Sequence, residues 1–404
     1  MSVAAGPAVA AIPDRLLFLD GLRGLAALYV VLGHARWLLW EGFAVGYLTH
    51  PDQYSLPGKM LAYAMVALNY GHQAVIFFFV LSGFVIHLRY ARQLQAEGKR
   101  ARFDLFPFYF RRFRRIYPLF LLAMLLTLLL DSLGQTRGFS LYAARTMYPL
   151  VNAMSAHGSF SLSAAVGNAL LWPAVTDWGT NSPLWSLRLE WWFYIAYAGL
   201  WLLSRRSMRL ASGFVAVLFV LSFVPELWPI DALRLICAAL PAWWVGALLA
   251  DGYAGRFPLR PAWLSALLLL FPLLILLLAP FNWLSLPDAL IDSGWSLGFV
   301  GLIAACLTVQ SRCRLPLLRP LEWLRPLGDL SYALYVLHLP VLALLSAWLI
   351  SRNPLGQLPA TFDWVAIGTM LCLVVAFIVH RTIERPVLRW KLPFFNPLPS
   401  SLQS

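Results

Sequence analysis

Apolar runs of roughly twenty residues recur from one end of this chain to the other, separated by short polar or basic segments. A hydrocarbon layer about 30 Å thick needs about 20 apolar residues per crossing helix. Lipid offers no partner to an unpaired backbone group, so the crossing segments have to be helices. The pattern predicts an all-α polytopic membrane protein with about ten spans, near 18–40, 73–90, 115–131, 184–203, 210–226, 232–250, 262–280, 293–310, 328–350 and 362–380. Composition agrees: 60% of the 404 residues are hydrophobic and 12% are charged, where a soluble domain carries about 25% charge. The 18 Trp and 15 Tyr are of the kind that gathers at membrane–water interfaces.

The net charge of +13 sits in short loops between the apolar runs. That placement points to orientation by the positive-inside rule and away from nucleic acid as a partner. With the N-terminus in the cytoplasm, 23 of the 31 Lys and Arg fall on the cytoplasmic side and five outside, with Arg23, Arg188 and Arg234 inside spans. Both termini are therefore expected in the cytoplasm: residues 1–17 as a short leading segment, 18–391 as the membrane domain and 392–404 as a disordered tail. No basic n-region precedes the first apolar run, so the first span is expected to stay as a signal anchor. The four cysteines form no CxxC pair and support neither a zinc site nor a disulfide framework. Two outer segments, 41–72 and 132–183, are long, and the second is expected to hold short interfacial helices over an outward-facing site.

Several polar residues lie where hydrocarbon is expected. In "LDGLRGLAALYVVLGHARW", residues 19–37, Arg23 and His34 are eleven positions apart. That is three helical turns plus about 20°, so they share one face, about 16 Å apart along the axis. Ala27 and Val30 between them keep that face narrow. An arginine at the centre of a span costs about 3 kcal/mol on insertion scales and by default marks function. The alternatives are snorkelling or pairing with Asp20 for Arg23, and a hydrogen bond to a neighbouring helix for His34. With the N-terminus inside, the pair reads as a cation at the cytoplasmic mouth of a passage and a proton acceptor further in.

In "GHQAVIFFFVLSGFVIHLRYAR", His72 sits at the outer end, at about the level of His34, and Ser82-Gly83 interrupts the apolar run so that another helix can approach. "FYFRRFRRIYP" gathers Arg111, Arg112, Arg114 and Arg115. Guanidinium forks at helical spacing suit phosphate; anionic lipid is the other reading. "NSPLWSLRLEWWFY" offers Ser182 as a cap before Pro183, with Glu190 about two turns further on and needing an imidazole or arginine partner. Arg188 points to the opposite side. In "LGDLSYALYVLHLPV", His338 is mid-span and Pro340 frees a backbone carbonyl.

Taken in order, these segments resemble the membrane-bound acyltransferase 3 family, whose members O-acylate glycans and some small molecules. The likeness rests on Arg23 and His34 in "LDGLRGLAALYVVLGH", then "FFFVLSGFVI", "RRFRRIYP", "NSPLWSLRLEWWFY" and "LSYALYVLHLPV", ending at Glu384 and Pro386, nearly the whole chain. The resemblance implies an enzyme of the bacterial inner membrane. It would take an acyl group from acyl-CoA, usually acetyl-CoA, at the cytoplasmic side and deliver it to a hydroxyl, often of a glycan at the outer face. By position His34 matches the catalytic histidine and Arg23 its motif arginine. Arg112 with Arg115 matches an RxxR pair, and Arg111 with Arg114 matches it equally well. Glu190 matches the acidic position after "PLWSL". His72, Ser82, Trp185, Tyr194 and His338 are candidates for contact with substrate. Many members carry an acidic residue before "FFVLSGF", where this chain has Ile76. Some carry a fused esterase-like domain; none is seen in these 404 residues, so transfer is expected to finish in the membrane domain.

Acyl transfer from a thioester to an alcohol needs a base for the hydroxyl proton, which a near-neutral imidazole supplies. It needs a donor for the oxyanion, which the motifs do not name, and cations for the CoA phosphates. His34 would be base or nucleophile, Glu190 its orienter, and Arg23 with the 111–115 cluster the CoA contacts; no metal is required. A transporter or flippase of a lipid-linked glycan would also want intramembrane Arg, Glu and His. A membrane glycan polymerase with 132–183 as its catalytic loop is a third reading.

Overall fold

The computed structural model describes residues 16–257, 270, 286–312 and 317–390. The helices are α1 (Leu17–Leu39), α2 (Leu56–Val66), α3 (Gly71–Glu97), α4 (Leu105–Thr136), α5 (Pro149–His157), α6 (Leu162–Ala169), α7 (Leu184–Arg206), α8 (Met208–Leu221), α9 (Asp231–Tyr253), α10 (Asp288–Arg312), α11 (Arg319–Trp323), α12 (Arg325–Arg352), α13 (Asp363–Val379) and α14 (Arg385–Leu388). Two dipeptides, β1 (Gly158–Ser159) and β2 (Asp177–Trp178), pair in parallel; otherwise the described fold is all-α.

Each expected span that falls on described residues is a helix. The span at 262–280, the leading residues 1–15 and the tail at 392–404 lie outside them. Seven described helices, α1, α3, α4, α9, α10, α12 and α13, are long and apolar enough to cross a membrane, so the chain is a polytopic membrane protein. The other two differ for physical reasons. Helix α7 carries Arg188, Glu190, Arg205 and Arg206. Helix α8, capped by the Ser207 side chain, has 14 residues and a length of about 21 Å. The arginine cluster is part of a helix too: α4 starts at Leu105, ten residues before the expected span, and carries Pro118 inside it.

In lipid, helices are drawn together by close packing more than by the hydrophobic effect, and small residues allow it. Helix α1 runs along α12. A Cβ on Gly24 would lie 2.6 Å from the Gly328 nitrogen, and one on Gly328 would lie 2.1 Å from the Asp20 carbonyl oxygen. Helices α3 and α9 meet in the same way, as the Ser82-Gly83 break suggests. A Cβ on Gly83 would sit 2.0 Å from the Trp243 oxygen, and one on Gly246 2.0 Å from the Val80 oxygen. Gly246→Val is expected to destabilise the protein by about 1–3 kcal/mol or more through overpacking. A melting curve of the detergent-solubilised variant checks this; an unchanged midpoint would mean the two backbones are further apart than described.

Where α1 ends, the two long connections fold into α2, α5 and α6; the first is pinned to the end of α1 and the second to the segment before α13. Trp40 Nε1 donates to the Tyr54 hydroxyl at 2.8 Å, Tyr54 donates to Glu41 at 2.5 Å, and the Tyr148 hydroxyl accepts from the Leu358 amide at 2.8 Å. A buried cluster joins α3, α7 and α9: His87 contacts the Tyr197 hydroxyl at 2.8 Å and Asp251 at 2.9 Å, and Arg256 grips the same carboxylate at 2.7 and 2.8 Å.

Candidate active site

Among the described residues, two chambers gather the polar side chains of the bundle. The first, about 160 Å³, is walled by Arg23 of α1, Phe78 and Ser82 of α3, Arg112 and Arg115 of α4, Ser186, Glu190 and Tyr194 of α7, and Tyr332 of α12. The second, about 310 Å³, is walled by His34 and Trp37 of α1, His72 of α3, and Pro183 and Trp185 at the start of α7. Val75 and Tyr335 line both.

The first chamber is basic. Arg23 donates to the Gly328 carbonyl at 2.8 Å and lies 3.3 Å from Asp20. Arg112 packs over the rings of Phe108 and Tyr194. Among the described residues neither Arg112 nor Arg115 donates a hydrogen bond or joins an ion pair, and the buried Nε of Arg112 is unmatched. The other two arginines of the run point elsewhere: Arg111 lies beside Tyr90 and Arg114 reaches the Trp390 carbonyl. The rotation of α4 thus separates two RxxR readings that spacing left equal. Glu190 accepts from Ser82 at 2.7 Å and from the Tyr194 hydroxyl, and Trp243 Nε1 backs Ser82 at 3.3 Å. Arg188 does leave by the opposite side, to Asn168 at 2.8 Å and Asp177 at 2.9 Å. Burial holds the Asp177 carboxyl above its usual range despite that guanidinium. Glu384, in the π-helical turn His380–Glu384, is buried and bonded to His380 at 2.8 Å.

The second chamber is built around two imidazoles. His338 Nε2 lies 2.9 Å from His34 Nδ1, and His338 Nδ1 lies 2.7 Å from the Tyr335 carbonyl oxygen. A carbonyl only accepts, so His338 carries its proton on Nδ1 and presents Nε2 as an acceptor. His34 must then donate from Nδ1, which leaves its Nε2 with a free lone pair. The helix that carries His338 is pinned beside it. Pro340 has no N–H for the Val336 carbonyl one turn back, and Asn181 Nδ2 fills that vacancy at 3.0 Å while also donating to Thr127 at 3.0 Å. On the far wall the His72 ring stacks on Trp185, with centroids 5.4 Å apart, and its Nε2 meets Asp292 of α10 at 2.9 and 3.0 Å.

The structure therefore brings Arg23, Arg112, Arg115, Ser82, Glu190 and Tyr194 to one chamber and His34, His72 and Trp185 to the other, with His338 behind His34. Glu190 makes no hydrogen bond with His34. It lies five residues beyond Trp185, faces the first chamber, and takes hydroxyls as partners instead of an imidazole or arginine; the side chain bonded to His34 is His338. Ser182 makes no side-chain cap either. Its carbonyl accepts the Trp185 amide at 3.1 Å in a tight turn that starts α7 at Leu184. Ile76, at the position acidic in many relatives, is buried among apolar side chains.

Comparison with known proteins identifies a family. The family described as an acyltransferase domain, acyltransferase 3, matches residues 16–381. The chain belongs to the acyltransferase 3 family. It is also 34% identical over 116 residues to Protein 2 in picA locus of Rhizobium radiobacter, a stretch covering 28% of this chain and 44% of that protein, so less than half of that relative is spanned. No solved structure matches.

The structure also brings to the chambers and their surroundings residues that the motifs did not single out. Tyr335 lies three positions before His338, on the same helical face, and its hydroxyl contacts Ser186 at 2.8 Å and the Pro183 carbonyl at 3.1 Å. Asn181 belongs to the "NSP" stretch that reads locally as a helix start. The 3.6-residue period could have flagged Tyr335; nothing local in the sequence points Asn181 at Val336.

Proposed function

We propose that this enzyme transfers an acetyl group from acetyl-CoA, entering from the cytoplasm, to a hydroxyl of a glycan at the outer face of a bacterial inner membrane. The carrying observation is the pair of chambers with a shared wall. The arginines of the first have donors to spare for the phosphates of CoA. The long pantetheine arm would run past Ser82 and Glu190, whose polar atoms suit its amides, and bring the thioester to Val75 and Tyr335. The second chamber would hold the acceptor, with Trp185, Trp37 and His72 as walls for a sugar ring. His34 Nε2 takes the hydroxyl proton as the oxygen attacks the thioester carbon. Collapse of the tetrahedral centre breaks the C–S bond, and His34 returns the proton to the CoA thiolate. An acyltransferase has no need of the vectorial gate that the flippase reading requires.

Purified protein in nanodiscs, given labelled acetyl-CoA and a set of glycans, should label a carbohydrate hydroxyl. Label that stays on CoA, or a strict preference for a non-carbohydrate alcohol, would overturn the reading. Arg112→Gln and Arg115→Gln should each raise KM for acetyl-CoA about tenfold, the loss of one charge-assisted hydrogen bond of about 1.5 kcal/mol, and leave KM for the acceptor within about twofold. Equal effects on both substrates would remove these arginines from the donor site.

A further inference from the structure

The reaction proposed above puts negative charge on the thioester oxygen as the tetrahedral centre forms, and an acyl-transfer site needs a donor aimed at that atom. The acyl carbon arrives through one chamber and the hydroxyl through the other, so bond formation occurs where the two meet. Two side chains line both chambers, Val75 and Tyr335. Val75 has nothing to donate. The Tyr335 phenol is the hydrogen-bond donor at that junction, and it is one turn from His338, which orients His34.

Its surroundings are those of a proton that can be redirected. Ser186 Oγ and the Tyr335 hydroxyl lie 2.8 Å apart, and both reach the Pro183 carbonyl, at 3.2 and 3.1 Å. That makes three contacts for two hydroxyl protons. The Pro183 carbonyl also receives the Ser186 amide at 3.3 Å. It therefore keeps a partner when either hydroxyl turns away.

We infer that Tyr335 is the oxyanion donor: its O–H turns from Pro183 to the thioester oxygen, and Ser186 turns its own O–H onto the Tyr335 oxygen. The inference rests on the acyl-CoA reading above. No proton leaves the phenol. The hydroxyl proton of the acceptor goes to His34, the carbonyl π pair goes to the oxygen held by Tyr335, and that pair reforms C=O as the C–S bond breaks.

The test compares wild type, His34→Ala, Tyr335→Phe and Ser186→Ala in membranes that hold the natural acceptor, using labelled acetyl-CoA as the probe. Melting midpoints are measured in parallel. Tyr335→Phe keeps the ring against Phe78, 5.8 Å away, and removes only the donor. It should lower kcat about 100-fold with KM for acetyl-CoA and the melting midpoint unchanged, and Ser186→Ala should lower kcat by a smaller factor. A Tyr335→Phe enzyme with wild-type kcat, or one that loses only KM or thermal stability, overturns the assignment while His34→Ala remains inactive. If Tyr335→Phe does not fold, wild-type kcat in Ser186→Ala overturns the relay. Wild-type membranes that transfer no label from acetyl-CoA overturn the acetyl-CoA reading, and this inference with it.

Discussion

Replacing His34 with alanine should lower acyl transfer by about 10³-fold or more and leave the protein folded. General base catalysis contributes about 10²–10⁴, and the contact with His338 leaves His34 Nε2 with a free lone pair. The fold has little to lose. Ala27, Val30, Val31, Ala35 and Leu38, which bury α1 in the core, are untouched. The side chain that the imidazole bonds is His338. Losing that bond costs about 1 kcal/mol in typical series, in a chamber water can enter. The measurement is the rate of label transfer by purified variant, with the melting midpoint and CoA binding as controls. A variant that transfers at the wild-type rate ends the role of His34 as base; one that melts many degrees lower ends the argument that its role is confined to chemistry.

The parts of this architecture that depend on one helix at a time are readable in the sequence. Twenty-residue apolar runs locate the helices, and the eleven-residue interval puts Arg23 and His34 on one face of α1. What that interval does not reveal is that they open into different chambers. The division is made by Val75 of α3 and Tyr335 of α12, which approach α1 from elsewhere in the chain. The arginine run shows the same boundary. Four guanidinium groups at helical spacing permit two RxxR pairs, and only the packing of α4 against its neighbours turns Arg112 and Arg115 inward. The start of α4 was hidden for another reason: hydropathy marks where hydrocarbon begins, while a helix continues for as long as its backbone bonds are satisfied. The partner of His34 is 304 residues away, and the partner of Glu190 is Ser82, 108 residues away. A carboxylate on a helix calls for a partner, but its identity is a tertiary fact. The vacancy left by Pro340 is legible from the missing N–H; that Asn181 fills it is not.

The second large effect is expected at His338. Its Nδ1 is committed to the Tyr335 carbonyl, so its Nε2 can only accept, and that choice dictates which nitrogen of His34 carries the proton. Remove the acceptor and His34 is free to flip its ring or exchange tautomers, and a base presented on the wrong nitrogen does not catalyse. A comparable loss, from a triad carboxylate that fixes a histidine tautomer, is about 10⁴ in kcat. Here the second imidazole is neutral and the expected loss is smaller, about 10³. His338→Phe keeps the ring and its packing and removes the acceptor; it should show that loss in kcat with KM for acetyl-CoA little changed. His338→Gln places an amide oxygen near the position of Nε2, can still accept from His34 Nδ1, and should recover activity to within about tenfold of wild type, the span of one neutral hydrogen bond of about 1 kcal/mol. The contrast between the two variants separates orientation from packing. If phenylalanine and glutamine at 338 are equally impaired, His338 matters as filler between α1 and α12; if the phenylalanine variant is as fast as wild type, the two imidazoles are neighbours without a shared task.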